Sequence, residues 1–188
     1  MFVKLNIISF ILIFSLFYNS TVLNASVYND DLLNIFSKIL PRLILMSSQK
    51  NRVENDLVIC VLYEEVDETT TFSLIDKVHD YYPNGINNHK IRLINSTYSQ
   101  IDACQKSQLV FMLNTNNKDI NKALTFSSKH DILTASYDER LLKDGVSVSL
   151  FLGRKVTTYV NMESLRTNGI ELDNLLLRIS KIYDGGKD

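Results

Sequence analysis

Hydrophobic positions along the chain alternate between helical stripes and short unbroken runs. From Tyr28 to Ser48, residues Leu32, Ile35, Phe36, Ile39, Leu40, Leu43 and Ile44 recur at three and four, the spacing of one helical face. Asn29, Asp30 and Asp31 precede them as capping and first-turn residues. Pro41 lies inside the run and predicts a kink or a split into two helices. Gln49 to Asp56 is polar and reads as a connector. Leu57 to Tyr63 (LVICVLY) is apolar throughout, the pattern of a strand covered on both faces. Thr69 to Tyr82 predicts a helix with Phe72, Ile75, Val78, His79 and Tyr82 on its apolar side. Pro83-Asn84-Gly85 ends it.

The same alternation continues downstream. Lys90–Ile94, Leu109–Leu113 and Ile132–Ser136 read as strands. A short helix at Ser99–Lys106 and a longer one at Asn117–Ser128 lie between them. Val146–Leu152 and Lys155–Asn161 flank Gly153-Arg154 and predict an antiparallel hairpin. The last helix is expected over Leu172–Tyr183, with Leu172, Leu175, Leu176, Ile179 and Ile182 as its buried stripe and Asp184-Gly185-Gly186 as its stop. Strands alternating with helices predict an α/β fold: a mostly parallel sheet with helices on both faces and an antiparallel hairpin near the C-terminus.

The N-terminus changes the picture. Lys4 is the one charged side chain in residues 1–25, and Leu5 to Tyr18 (LNIISFILIFSLFY) is a short apolar core. The segment closes at Leu23-Asn24-Ala25, with a small residue last. This is the layout of a secretory signal. It predicts export and a single domain over residues 26–188; an uncleaved N-terminal anchor is the other reading. The apolar core falls short of the roughly 20 residues of a comfortable span.

Composition adds mainly exclusions. The 20 basic and 21 acidic residues give a formal charge of −1, so no strong field draws nucleic acid or anionic lipid. His79, His89 and His130 show no ligand spacing, and no metal or cofactor is expected. The glycines form neither a P-loop nor a dinucleotide fingerprint, and no serine sits in a G-x-S-x-G elbow. His79 reads as a core histidine. Glu64-Glu65-Val66-Asp67-Glu68 follows the first strand, where open parallel sheets border their crevice, and reads as a solvated acidic loop. Asn95-Ser96-Thr97 matches a glycosylation sequon.

The two cysteines carry more information. Cys60 lies in the first strand and Cys104 on the short helix before the third. An exported chain with two cysteines can form one intramolecular disulfide, although two unrelated buried thiols would satisfy the same spacing. Closing a loop of about 44 residues would contribute about 4 kcal/mol on the chain-entropy estimate.

Several blocks then fall in a recognisable order: ICVL in 59–62, DACQKSQLVFM in 102–112, DILTAS in 131–136, DGVSVSL in 144–150 and VNMESLRTNGIELDNLLLRISKI in 160–182. The series resembles the YfiR/HmsC-like family of exported regulators. Cys60, Cys104, Leu133-Thr134, Gly145, Asn161, Gly169 and Leu175-Leu176 match its pattern. The chain departs from it in having no Trp near the N-terminal helix and no second cysteine pair around Glu139–Leu150.

The resemblance implies a regulator and not an enzyme. Such proteins bind the extracytoplasmic part of an inner-membrane diguanylate cyclase and hold it inactive, which lowers cyclic-di-GMP and biofilm formation. The expected partner is that cyclase, with a homodimer also in view, through an exposed apolar patch on the helix Tyr28–Ser48. The second reading is a periplasmic small-ligand-binding module using the crevice near Glu64–Glu68 and Asn114–Asn117.

Overall fold

The computed structural model describes residues 28–153 and 155–183. The expected export signal and the Asp184-Gly185-Gly186 stop lie outside the described residues. The chain opens with helix α1 (Asp30–Leu45), capped by the Asn29 side chain, which accepts the Leu32 N–H at 2.8 Å. Strand β1 (Asp56–Tyr63) follows, then α2 (Glu68–Tyr81), β2 (Lys90–Thr97), β3 (Leu109–Met112), α3 (Asn117–Lys129) and β4 (Leu133–Ser136). The C-terminal part holds β5 (Val148–Leu152), β6 (Val156–Asn161), α4 (Met162–Thr167), α5 (Asn174–Ile179) and β7 (Lys181–Tyr183). Short 3-10 turns cover Ser48–Arg52, Glu65–Asp67, Tyr98–Cys104 and Glu139–Leu142.

The seven strands form one sheet in the order β2-β1-β3-β4-β5-β6-β7. Pairing is parallel from β2 through β5, antiparallel between β5 and β6, and parallel again between β6 and β7. The fold is thus α/β, with a mostly parallel sheet and an antiparallel β5–β6 hairpin. Strand alternation divides the core in two. Leu57, Ile59, Val61 and Tyr63 pack with α1 and α2, and Phe36 meets Phe111 at 4.7 Å. Cys60 and Leu62 turn to the other face, with Tyr98, Ile101, Cys104, Val110, Met112, Ile120 and Ala123.

Several expectations need correction. Pro41 does not split α1 in two. It is buried inside a continuous helix, between Leu40 and Leu43, which are themselves in the core. Burying each large apolar side chain contributes about 2 kcal/mol, so the core contacts offset the roughly 3 kcal/mol that an interior proline costs. On α2 the buried stripe is Thr71, Leu74 and Val78, while Phe72 and His79 are exposed. The polar Thr71 hides the true phase of this helix. The expected helix Leu172–Tyr183 is a six-residue α5 followed by strand β7. Ser180 takes an extended conformation, and Lys181–Tyr183 then pairs with Tyr159–Asn161 of β6. An open strand edge therefore captures residues that would otherwise continue a helix, and β7, not the hairpin, ends the sheet.

Helix α4, only six residues long, carries no helical stripe in the sequence. Asn161 caps it by accepting the Ser164 N–H at 3.0 Å, and Gly169 follows it with φ +62. A buried hydroxyl chain locks this corner: Thr134 donates to Ser147 at 3.0 Å, Ser147 meets Ser164 at 3.0 Å, and Ser164 donates to the Gly145 carbonyl at 2.6 Å.

Candidate functional site

The C-terminal ends of β1, β3 and β4 meet where open parallel sheets place ligands. The acidic loop and the Asn114–Asn117 segment come together here. The Thr115 hydroxyl donates to the Glu64 carboxylate, and Asn116 caps α3 by accepting the Asp119 N–H at 3.1 Å. The Asn114 N–H donates to the Tyr28 hydroxyl at 2.7 Å, and the Tyr28 ring stands edge-on to Tyr137 at 4.7 Å. Tyr98 donates to the Leu113 carbonyl at 2.6 Å. Burial raises the phenols of Tyr28 and Tyr98 above their ordinary value. Burial, and then the Glu64 charge, raise the Asp67 carboxyl. Asp138 is held low by hydrogen bonds from Arg140, whose guanidinium lies 2.7 Å away.

At this end of the sheet the carboxylates and phenols are held by hydroxyl, guanidinium and backbone groups: Glu64 by Thr115, Asp138 by Arg140, and Tyr28 and Tyr98 by the main chain after β3. Beside it, Asn29, Leu32, Tyr137, Asp138, Leu150 and Phe151 line a cavity of about 370 Å³. None of the three histidines joins it. His79 lies on the outer side of α2, His89 follows the turn before β2, and His130 caps α3 at the opposite end of the sheet. Among the described residues no group of three or more His, Cys, Asp and Glu could hold a metal ion.

Cys60 and Cys104 are joined in a disulfide, with Cα atoms 5.5 Å apart. The bond ties β1 to the end of the Tyr98–Cys104 turn inside the second core, where both cysteines are fully buried. Among the described residues no helix is long and apolar enough to cross a membrane.

The expected apolar patch is not on α1. Its outward residues are Asp30, Asp31, Lys38 and Arg42, and its apolar side is in the core. Exposed apolar side chains lie instead at two places: around α2, where Val66 is 69% exposed and Phe72 47%, and on α5 and β7, where Leu175 is 65% exposed, Ile179 66% and Ile182 44%, with Phe151 and Val156 exposed on the hairpin. Leu175 and Ile179 are one helical turn apart on α5 and turn outward, while Leu176 anchors the same helix in the core. Exposed Lys155, Arg178 and Lys181 stand among them, with the Lys181 ammonium 5.4 Å over the Tyr159 ring.

Known proteins resemble the chain at two levels. No curated protein sequence matches it. By structure it is similar to a conserved domain protein from Vibrio cholerae O1 biovar El Tor (TM-score 0.59, 10% identity, 80% of this chain and 59% of that one). It is also similar to an ABC domain in complex with L-Trp from Streptococcus pneumonia (TM-score 0.56, 9% identity, 76% and 59%). A substrate binding protein with adhesive properties from Clostridium difficile is similar in the same way (TM-score 0.56, 11% identity, 83% and 60%). The chain spans about three fifths of the length of these proteins, and at such identities the likeness is one of fold alone. A family model described as YfiR/HmsC-like matches residues 43–181, which include β1 through β6, both cysteines and the α5 edge. The chain belongs to the YfiR/HmsC-like family.

Proposed function

We propose that this chain is a periplasmic regulator that binds the extracytoplasmic part of a membrane-bound diguanylate cyclase and represses it, lowering cyclic-di-GMP and biofilm formation. Family membership supports the reading, and so does the buried disulfide, which suits an oxidising compartment. The observation that carries it is the exposed apolar edge of Leu175, Ile179 and Ile182 with Arg178 and Lys181 beside it. That surface fits a protein partner whose contact patch is apolar at its centre and acidic at its margin. Repression is then a matter of linkage: a regulator that binds the inactive cyclase more tightly shifts its population by that differential affinity.

Deletion of the gene tests the proposal. Cyclic-di-GMP is expected to rise, and the wild-type gene, but not an Ile179→Asp variant, is expected to restore it. An unchanged level on deletion would sink the reading. The small-ligand-binding module is the second reading. It draws on the cavity of about 370 Å³ near Tyr137 and on the fold shared with a domain that holds L-Trp. A saturable thermal shift with L-Trp, lost in Tyr137→Ala, would favour it.

A further inference from the structure

We infer that a cavity at the N-terminal ends of β1 and β2 binds a small polyanion, such as a polycarboxylate or a phosphorylated metabolite. The cavity lies at the opposite end of the sheet from the Glu64 crevice. Its volume is about 750 Å³, ample for a metabolite, and it is lined by Arg52, Arg92, Lys106 and His130 on one account and Glu54 and Asp56 on the other. Parallel register places Arg92 beside Val58, on the face that carries the disulfide. Lys106 follows two residues after Cys104, so the crosslink braces the wall it stands on.

The cations are presented and not consumed. Among the described residues, Arg92 and Lys106 make no ion pair or hydrogen bond, and neither Glu54 nor Asp56 comes within ion-pair distance of them. Arg52 is held in place by its Nη1, which donates to the Gln49 side chain at 3.0 Å and to the Asp131 carbonyl. Arg52 is exposed and lines the cavity. The floor is rigid: the buried Gln108 side chain accepts the Val58 N–H at 2.7 Å and donates to the Arg52 carbonyl at 3.3 Å. One side chain thus couples β1, the turn before it and the start of β3.

The charge pattern sets the class of ligand. A single negative charge would meet Glu54 and Asp56 as well as the cations and gain little. A ligand with two or three separated charges can engage Arg52, Arg92 and Lys106 together, with guanidinium groups that pair bidentately with carboxylate or phosphate.

Calorimetric titration of the protein with citrate and with pyrophosphate tests this. Saturable one-site binding of at least one is expected, still measurable at about 0.15 M salt, where long-range attraction is screened. The double variant Arg92→Ala/Lys106→Ala is expected to bind at least about tenfold more weakly, the loss typical of removing charged hydrogen-bond donors. The remote pair Lys38→Ala/Lys118→Ala, exposed and outside this cavity, is expected to bind as wild type. Tighter citrate binding assigns a polycarboxylate, and tighter pyrophosphate binding a phosphorylated ligand. Non-saturable binding of both probes, or equal loss in the two double variants, overturns the site. Both pairs are exposed, and thermal melts verify that each variant is folded.

Discussion

The side-chain carbonyl of Gln108 accepts the backbone N–H of Val58 at 2.7 Å, while the Gln108 backbone N–H donates to the Val58 carbonyl at 3.0 Å. A side chain here does the work of a strand neighbour, extending the β1–β3 ladder one residue before it begins at Ile59 and Leu109. Val58 and Gln108 are both buried, so no water replaces the contact. Gln108→Leu is expected to cost about 1–3 kcal/mol, the desolvation of an unpaired amide. Urea denaturation reads the cost, and hydrogen exchange at Val58 is expected to accelerate. An unmoved midpoint would show that the ladder closes without Gln108.

The Cys60–Cys104 bond closes a separation of 44 residues. Constraining the denatured chain over such a loop is worth about 4 kcal/mol. The double variant Cys60→Ala/Cys104→Ala is expected to lose about that much on denaturation without reductant, since both positions are fully buried. A loss below about 1 kcal/mol would mean that the crosslink constrains little that packing does not already hold.

Two carboxyls near the strand C-termini have opposite pH signatures. Asp67 is raised in the folded state by burial and by Glu64, so the native protein holds its proton more tightly than the unfolded chain. Stability from this group falls as pH rises from the unfolded value through the folded one. Asp67→Asn is therefore expected to raise the melting temperature at neutral pH and to lose that advantage in acid. Asp138 is lowered by Arg140 and contributes stability above its unfolded value that disappears as pH falls through the folded one. Asp138→Asn is expected to lower the melting temperature at neutral pH, with a deficit that shrinks in acid. Arg140 is largely exposed, so the effect is modest. Parallel pH profiles for the two variants would contradict both assignments.

Leu175→Asp and Ile179→Asp alter side chains that face solvent, so stability is expected to stay within about 0.5 kcal/mol of wild type. Capture of the cyclase from membranes is expected to weaken by about 2 kcal/mol, roughly thirtyfold, if these residues anchor the contact. Sedimentation of wild type against Ile179→Asp separates a second copy of the chain from a different partner: a dimer lost in the variant would place self-association on this edge. Undiminished capture by both variants would move the partner surface elsewhere.

Much of the fold was legible in residue order. LVICVLY and LVFML announce buried strands because a strand covered on both faces has no polar positions to alternate with. The α1 stripe was legible because sixteen residues hold several full helical periods. Asn161 and Gly169 bracket α4 as N-cap and C-terminal glycine, a signal that was there to be used. The basal cavity left no such trace. Arg52, Arg92 and Lys106 are scattered along the chain, and parallel register alone brings them to one end of the sheet.

Sequence by itself determined the six strands up to the hairpin and the three long helices, where the two cysteines lie, and the family order of the blocks. Tertiary structure decided that Leu175, Ile179 and Ile182 are surface and not core, and that Lys181–Tyr183 is a strand. Periodicity reports which side chains share a face. Whether anything covers that face depends on neighbours distant in sequence, and here an open β6 edge drew the last residues into the sheet and left the helix's outer side bare.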